Sequence, residues 1–190
     1  MKILVIQQKR IGDVLTSTIL CNNLKKFYPE ASIHYMCYPN SVDVLLENPN
    51  IDEIITLSNE VRKSYPKLMK FILSIRKRKY DAVIDAYSKL ETNLITAFSG
   101  AKYKISYHKG YSNIFYNHTV KRFKNGTKSD LGLAIDNRLL LLKPLIKEKI
   151  TDYKPKIFLT ETEIQSAKSL LSKFGIEEKK KPLIMFGILG

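Results

Sequence analysis

The sequence predicts an α/β protein, a parallel sheet with helices on both faces. Three observations point there. Short apolar, strand-like runs alternate with amphipathic helical ones along most of the chain. The first apolar strand, Ile3 to Ile6, runs through a short loop into Gly12-Asp13 and a helix. Proline or glycine closes the elements that follow, as at Pro29, Gly100 and Gly175.

The elements follow in order. The first strand covers Lys2–Gln7, and the first helix runs from about Asp13 to Tyr28. Leu20, Leu24 and Phe27 share one helical face, which Leu15 and Ile19 extend by a turn. A second strand at Ser32–Tyr38 ends at Pro39-Asn40. Ser41–Glu47 reads as a short helix, Asn48-Pro49-Asn50 as a turn and Glu53–Leu57 as a short third strand. A helix over Val61–Lys79 turns Leu68, Phe71, Ile72 and Ile75 inward. Asp81–Asp85 is a fourth strand, Glu91–Phe98 a helix and Lys104–Tyr107 a fifth strand. His108–Ser129 is irregular, polar and basic, a loop long enough to suggest function or mobility. Asp130–Lys147 reads as a Leu-rich helix and Thr151–Lys156 as a linker. Thr160 and Glu163 form a capping box opening a helix over Glu161–Phe174. Glu177–Lys181 is a charged connector, and Pro182–Phe186 a new buried strand.

A chain of 190 residues with 44% hydrophobic content is long for one domain and short for two. It can bury roughly 70% of its unfolded surface. Cys21 and Cys37 are the only cysteines and have no CxxC spacing, so a disulfide framework and a thiolate metal site are not expected. The apolar start is too short for a secretory signal, and no apolar run approaches a membrane span. A cytoplasmic location is expected. The net charge of +14, from 32 Lys and Arg against 18 Asp and Glu, favours anionic partners.

Asp13 is the leading site candidate. It is either a helix N-cap or a general base at the carboxyl edge of the sheet, where ligands of parallel α/β folds bind. One carboxylate can serve both roles. Gly12 would allow a tight turn and close approach of a substrate. Lys9 and Arg10 could meet a carboxylate or phosphate, or simply be solvated. Neither a dinucleotide fingerprint nor a P-loop follows the first strand. Asp85 invites a phosphoacceptor reading, but Gln7 and Gln8 stand where a receiver needs acidic residues; ordering of the next loop is the better role. His34, His108 and His118 lack metal-ligand spacing. His34 reads as a packed or edge strand histidine, and His108 and His118, flanking the long loop, as solvated loop histidines rather than contacts to an anionic ligand. Arg62–Lys79 carries eight basic residues, with Lys63, Lys67, Lys70 and Lys77 on one helical face. That face is either solvated or a surface that docks anionic membrane or polyanion. Lys179-Lys180-Lys181 reads as solvated.

Several segments together resemble the bacterial family 9 glycosyltransferases, the lipopolysaccharide heptosyltransferases. Lys2-Ile-Leu-Val-Ile, Ile11-Gly-Asp-Val-Leu15 and Asn23-Leu-Lys-Lys-Phe-Tyr-Pro29 resemble the start of the family. Asn48-Pro-Asn-Ile-Asp-Glu-Ile-Ile55, Tyr80-Asp-Ala-Val-Ile-Asp85 and Phe98-Ser-Gly-Ala-Lys-Tyr-Lys-Ile105 follow in register. Pro182-Leu-Ile-Met-Phe-Gly187 resembles the strand and loop that open the family's donor half.

The resemblance implies a GT-B fold, two Rossmann-like domains facing across a cleft, of which this chain carries the N-terminal half. Residues 1–155 would be the acceptor-side domain, and 156–190 a linker helix and the first strand of a truncated donor domain. It implies inverting, metal-independent transfer, with no cofactor, from a nucleotide-sugar donor such as ADP-heptose to an anionic lipopolysaccharide core acceptor. Asp13 would be the catalytic base; Lys9, Arg10, Ile11 and Gly12 would bind acceptor, and Gly187 would face the donor. Two departures stand out. Gln8-Lys9-Arg10 is bulkier and more basic than the small hydroxyl residues the family often has there, and the final loop reads Gly187-Ile-Leu-Gly190. Little or no transfer is expected of the chain in isolation. Peripheral contact with the inner membrane surface is a further expected partner, and nucleic acid is not. The rival from another class is a non-catalytic basic module that binds polyanions.

Overall fold

Six parallel strands form one sheet in the order β3-β2-β1-β4-β5-β6. The computed structural model describes residues 1–8, 10–124, 132–148, 150 and 152–176. The strands are β1 (Lys2–Ile6), β2 (Ser32–Cys37), β3 (Glu53–Thr56), β4 (Ala82–Asp85), β5 (Tyr103–Tyr107) and β6 (His118–Val120). The helices are α1 (Ile11–Phe27), α2 (Asn59–Lys63), α3 (Tyr65–Lys77), α4 (Leu90–Phe98), α5 (Leu133–Leu140) and α6 (Glu161–Lys173). By their internal contacts the residues divide into Met1–Phe158 and Leu159–Gly190. Of the second unit, α6 is described; its Thr160 hydroxyl accepts from the Glu163 N–H, and the Glu163 carboxylate accepts from the Thr160 N–H in return.

The period of two along each strand builds two cores. Ile3, Val5, Ile33, Tyr35, Ile84 and Ile105 point to the face covered by α1 and by Leu141, Leu142 and Ile146. Leu4, Ile6, Met36, Ile55 and Val83 point to the other face, against Leu68, Ile72 and Ile75 of α3 and Ile95 of α4. Each fully buried aliphatic side chain contributes about 1.5–3 kcal/mol of transfer free energy.

The chain steps from β1 out to β3 and then returns to place β4 on the other side of β1. That reversal leaves a crevice at the carboxyl ends of β1 and β4, the topological switch point of an open α/β sheet. Ile6 and Asp85 are register partners at its mouth.

The boundaries differ from the sequence expectation in five places. α1 begins two residues earlier, because the extended Arg10 already presents its carbonyl to the N–H groups of Asp13 (2.9 Å) and Val14 (3.0 Å). The Ser41–Glu47 segment forms two 3-10 turns, Pro39–Ser41 and Asp43–Leu45. The expected Val61–Lys79 helix is split at Ser64, since Pro66 lacks an N–H and its ring would clash with the carbonyl four residues back. The irregular stretch after β5 contains a 3-10 turn, Gly110–Phe115, and the edge strand β6. The α-helix before Pro144 ends at Leu140, and i→i−3 hydrogen bonds from Leu141, Leu142 and Lys143 follow it. Asp130, Glu177–Lys181 and the Pro182–Phe186 strand lie outside the described residues.

Candidate active site

Asp13 sits in the first turn of α1, three residues past the N-cap position held by Arg10. It is therefore not the N-cap. A carboxylate there still faces the positive end of the helix dipole. Its side chain keeps 27% exposure, and its Oδ1 accepts from Nη2 of Arg138 at 2.8 Å. Arg138 comes from α5, 125 residues along the chain, and its side chain is only 9% exposed. Its Nε donates to Ser17 Oγ at 2.7 Å, and that hydroxyl donates to the Asp13 carbonyl at 2.8 Å. Thr16 Oγ1 donates to the Gly12 carbonyl at 2.8 Å. One planar cation thus holds the carboxylate and the following helical turn together.

Of the other first-loop candidates, the three that are described form the lip of the site. Arg10, Ile11 and Gly12 are exposed. Gly12 does not serve as a turn glycine. It is helical, outside the positive-φ set, and a Cβ there would meet nothing within 4 Å. Lys9 and Gly187 lie outside the described residues. Gln7 and Gln8 are buried behind the lip, and Gln7 Oε1 accepts from the Gln8 N–H at 3.0 Å.

Asp85 closes the opposite side of the switch point and is fully buried. Its Oδ1 accepts from the N–H groups of Ser88 (2.7 Å) and Tyr87 (2.9 Å), which shapes the loop into α4 and holds Ser88 at φ 53°. The Tyr116 hydroxyl lies 2.8 Å from Asp85 Oδ2 and 2.6 Å from Asn93 Oδ1. Burial pushes the Asp85 carboxyl above its ordinary value, against these hydrogen bonds. A group so enclosed orders a loop and cannot receive a phosphoryl group from solvent. Lys109 crosses above it, donating to the carbonyls of Ser88 (2.9 Å) and Tyr87 (3.2 Å).

The rim continues at Tyr38 and Tyr87, whose hydroxyls lie 3.4 Å apart. Arg62 stands 4.8 Å over the Tyr38 ring and pairs with Glu91 at 3.0 Å. His34 is buried within β2, as expected. His108 is an exposed residue near Thr119 and Asn113, whereas His118 is not a loop residue; it belongs to β6 and stacks on Tyr103. Among the described residues, no cluster of three or more His, Cys, Asp or Glu could hold a metal ion, and no helix is long and apolar enough to cross a membrane.

No protein-family model matches the chain. It is 28% identical over 154 residues to lipopolysaccharide heptosyltransferase 3 of Escherichia coli, covering 76% of this chain and 44% of that protein. Among solved structures it superposes on the glycosyl transferase family 9 protein of Veillonella parvula with a TM-score of 0.72 at 20% identity, covering 94% of this chain and 50% of the other. In sequence the chain is a relative of the lipopolysaccharide heptosyltransferases, and in fold it is similar to a family 9 glycosyl transferase. A second neighbour of the family is the E. coli heptosyltransferase WaaC solved with ADP-2-deoxy-2-fluoro heptose, with a TM-score of 0.65 at 18% identity over 82% of this chain and 51% of that one. The chain spans about half the length of the heptosyltransferases it matches. Its parallel, Rossmann-like sheet corresponds to one half of their fold. Nothing among these relatives supports a non-catalytic polyanion-binding module.

Sequence reading missed Arg138 and Ser17. One signal for Arg138 was available. It stands between Ile135 and Leu142 at steps of three and four on a face that is otherwise apolar, and a buried arginine needs an anionic partner.

Proposed function

We propose that the chain forms the acceptor side of a heptosyltransferase-like glycosyltransferase and that Asp13 is its general base. The donor is a nucleotide-activated sugar such as ADP-heptose, and the acceptor is an anionic lipopolysaccharide core sugar. The Asp13 carboxylate takes the proton of an acceptor hydroxyl. The oxygen attacks the anomeric carbon in line, the bond to phosphate breaks, and the nucleotide diphosphate leaves with the electron pair. Transfer is inverting. Arg10, Ile11 and Gly12 line the exposed lip, and Arg10 carries the charge to meet an acidic sugar. The same loop's Lys9 is proposed to assist, and Gly187 to belong to the donor side. An acceptor anchored in lipid also entails peripheral contact with the inner membrane surface.

The observation that carries the reading is the grip of buried Arg138 on a partly exposed Asp13 at the switch point. It holds the carboxylate in one orientation at the edge where ligands of such sheets bind.

The test is a chimera joining residues 1–158 to the donor half of the E. coli relative, assayed for heptosyl transfer. Asp13→Asn and Asp13→Ala are expected to lower kcat by about 10²–10⁴ while acceptor binding by the 190-residue chain changes little. Near-normal turnover in both variants would leave Asp13 a structural residue.

A further inference from the structure

Helix α3 is apolar on two sides. Leu68, Ile72 and Ile75 face the core, yet Tyr65, Met69 and Leu73, spaced by four, are 82%, 48% and 53% exposed. Three large apolar side chains in one row on a short surface helix call for a partner. The cations beside them indicate which. Between Asn59 and Lys79 the sequence holds eight basic residues against a single acidic one, Glu60. Glu60 pairs with Lys67 at 3.4 Å, and Arg62 and Arg78 pair with Glu91 and Glu53 of other elements. Lys70, Arg76 and Lys77 flank the row, and none of them has an acidic partner among the described residues. Arg76 donates to the Phe98 carbonyl at 3.4 Å, which ties α3 to the end of α4, where Phe98 is itself exposed.

We propose that the outer face of α3, with Tyr65, Met69 and Leu73 set among Lys70, Arg76 and Lys77, docks the chain on an anionic lipid surface. The proposal deepens the membrane-contact part of the functional reading and is independent of the role of Asp13. Charge decides against a second copy of the chain, because two faces of the same positive sign repel and the net charge is +14. The apolar row decides against nucleic acid, since exposed Met and Leu have no role on a phosphate backbone but enter the acyl boundary of a bilayer. Electrostatic attraction and partial insertion are the two signals that reversible membrane binding requires. The placement suits the site. Asp13 stands at the carboxyl edge of the sheet, whereas α3 covers one flank, opposite the face that carries α1. The Tyr65 end of α3 starts near that edge, where Arg62 overlies Tyr38. A lipid-anchored acceptor would therefore reach the edge from the surface on which the chain rests.

The test is flotation of the 190-residue chain with vesicles of phosphatidylethanolamine and phosphatidylglycerol, against vesicles of phosphatidylcholine alone. Binding to the anionic vesicles only is expected, falling steeply with salt. Met69→Asp combined with Leu73→Asp, and separately Lys70→Glu combined with Lys77→Glu, should each lower the bound fraction about tenfold or more with an unchanged melting temperature, because these side chains are exposed. The chain has no tryptophan, so Leu73→Trp supplies a single reporter, and its emission should shift to the blue on anionic vesicles. Equal binding to neutral vesicles, undiminished binding by the paired variants, or an unshifted Leu73→Trp emission would overturn the proposal. So would a stable dimer or capture by RNA without vesicle binding. Near-normal transfer by the Asp13 variants of the chimera, with intact vesicle binding, would count against the Asp13 reading alone.

Discussion

The guanidinium of Arg138 joins the first two turns of α1, with Nη2 2.8 Å from Asp13 Oδ1 and Nε 2.7 Å from Ser17 Oγ. Both contacts use the fixed fork of one planar group, which a lysine cannot reproduce. A buried arginine that grips a hydroxyl and a carboxylate of one helix therefore sets the orientation of Asp13, and α5 acts as a support for the site.

Replacing Arg138 with methionine should destabilise the chain by about 1–3 kcal/mol, since a partly exposed carboxylate and a buried hydroxyl lose their donor. Arg138→Lys should fall between methionine and wild type. Urea denaturation of Asp13→Ala, Arg138→Met and the double variant gives the coupling, expected at about 0.5 kcal/mol or more. Additive effects would remove Arg138 as a positioning residue.

Asp85 separates shape from charge. Asp85→Asn keeps an oxygen for the Ser88 and Tyr87 N–H groups and removes a carboxyl whose ionisation burial opposes. Its stability at neutral pH should equal or exceed that of wild type. Asp85→Ala strands the Tyr87 and Ser88 N–H groups, leaves the Tyr116 hydroxyl with Asn93 Oδ1 alone, and should cost about 2–4 kcal/mol. The raised value also fixes a sign. In the acid range above 3.8 the folded state holds this proton more tightly than the unfolded chain, so this contribution to stability is lost as pH rises through the folded value. Asp85→Asn should remove that loss in melts recorded across the acid range.

His34 has the opposite sign. Burial pushes its imidazole below the ordinary 6.5, despite nearby Glu53. The unfolded chain then binds the proton more readily, and stability should fall as pH drops below about 6.5. The hydrogen bond from Arg78 holds Glu53 below 4.5, so its own contribution is lost later, as pH falls through that lower value. Melts between pH 7 and 5 should show the His34 loss, and His34→Asn should flatten it. An identical slope in the variant would assign the loss to other groups.

Both thiols are buried, and burial pushes Cys37 up to about 12 and Cys21 higher still. Thiolate is the reactive form. A chromogenic disulfide reagent should leave both cysteines unmodified in the native chain and label both in denaturant. Rapid labelling under native conditions would mean that the α1 face of the core opens readily.

Much of the fold is legible in local sequence. The period of two in β1, β2 and β4 and the inward row of Leu68, Ile72 and Ile75 reflect burial, and burial is written directly into residue type. The break at Ser64 was also legible in Pro66, but the apolar period running across it masked the stop. β6 escaped notice because a three-residue edge strand, half-buried throughout, has too few positions to display a period. The position of Asp13 within α1 escaped because Arg10 supplies the N-cap with backbone alone and no capping side chain.

The strand–loop–helix at the amino terminus was enough to place Asp13 at a sheet's carboxyl edge, because a parallel α/β unit leaves that loop nowhere else to go. The identity of its partner was not contained there. Which of 32 basic residues reaches Asp13 depends on the return of α5 across α1, a contact made 125 residues along the chain. Local propensity and periodicity act over a turn or two of backbone. The Arg138–Asp13 pair is instead set by the packing of two distant elements, and only the folded chain brings those two charges within 2.8 Å.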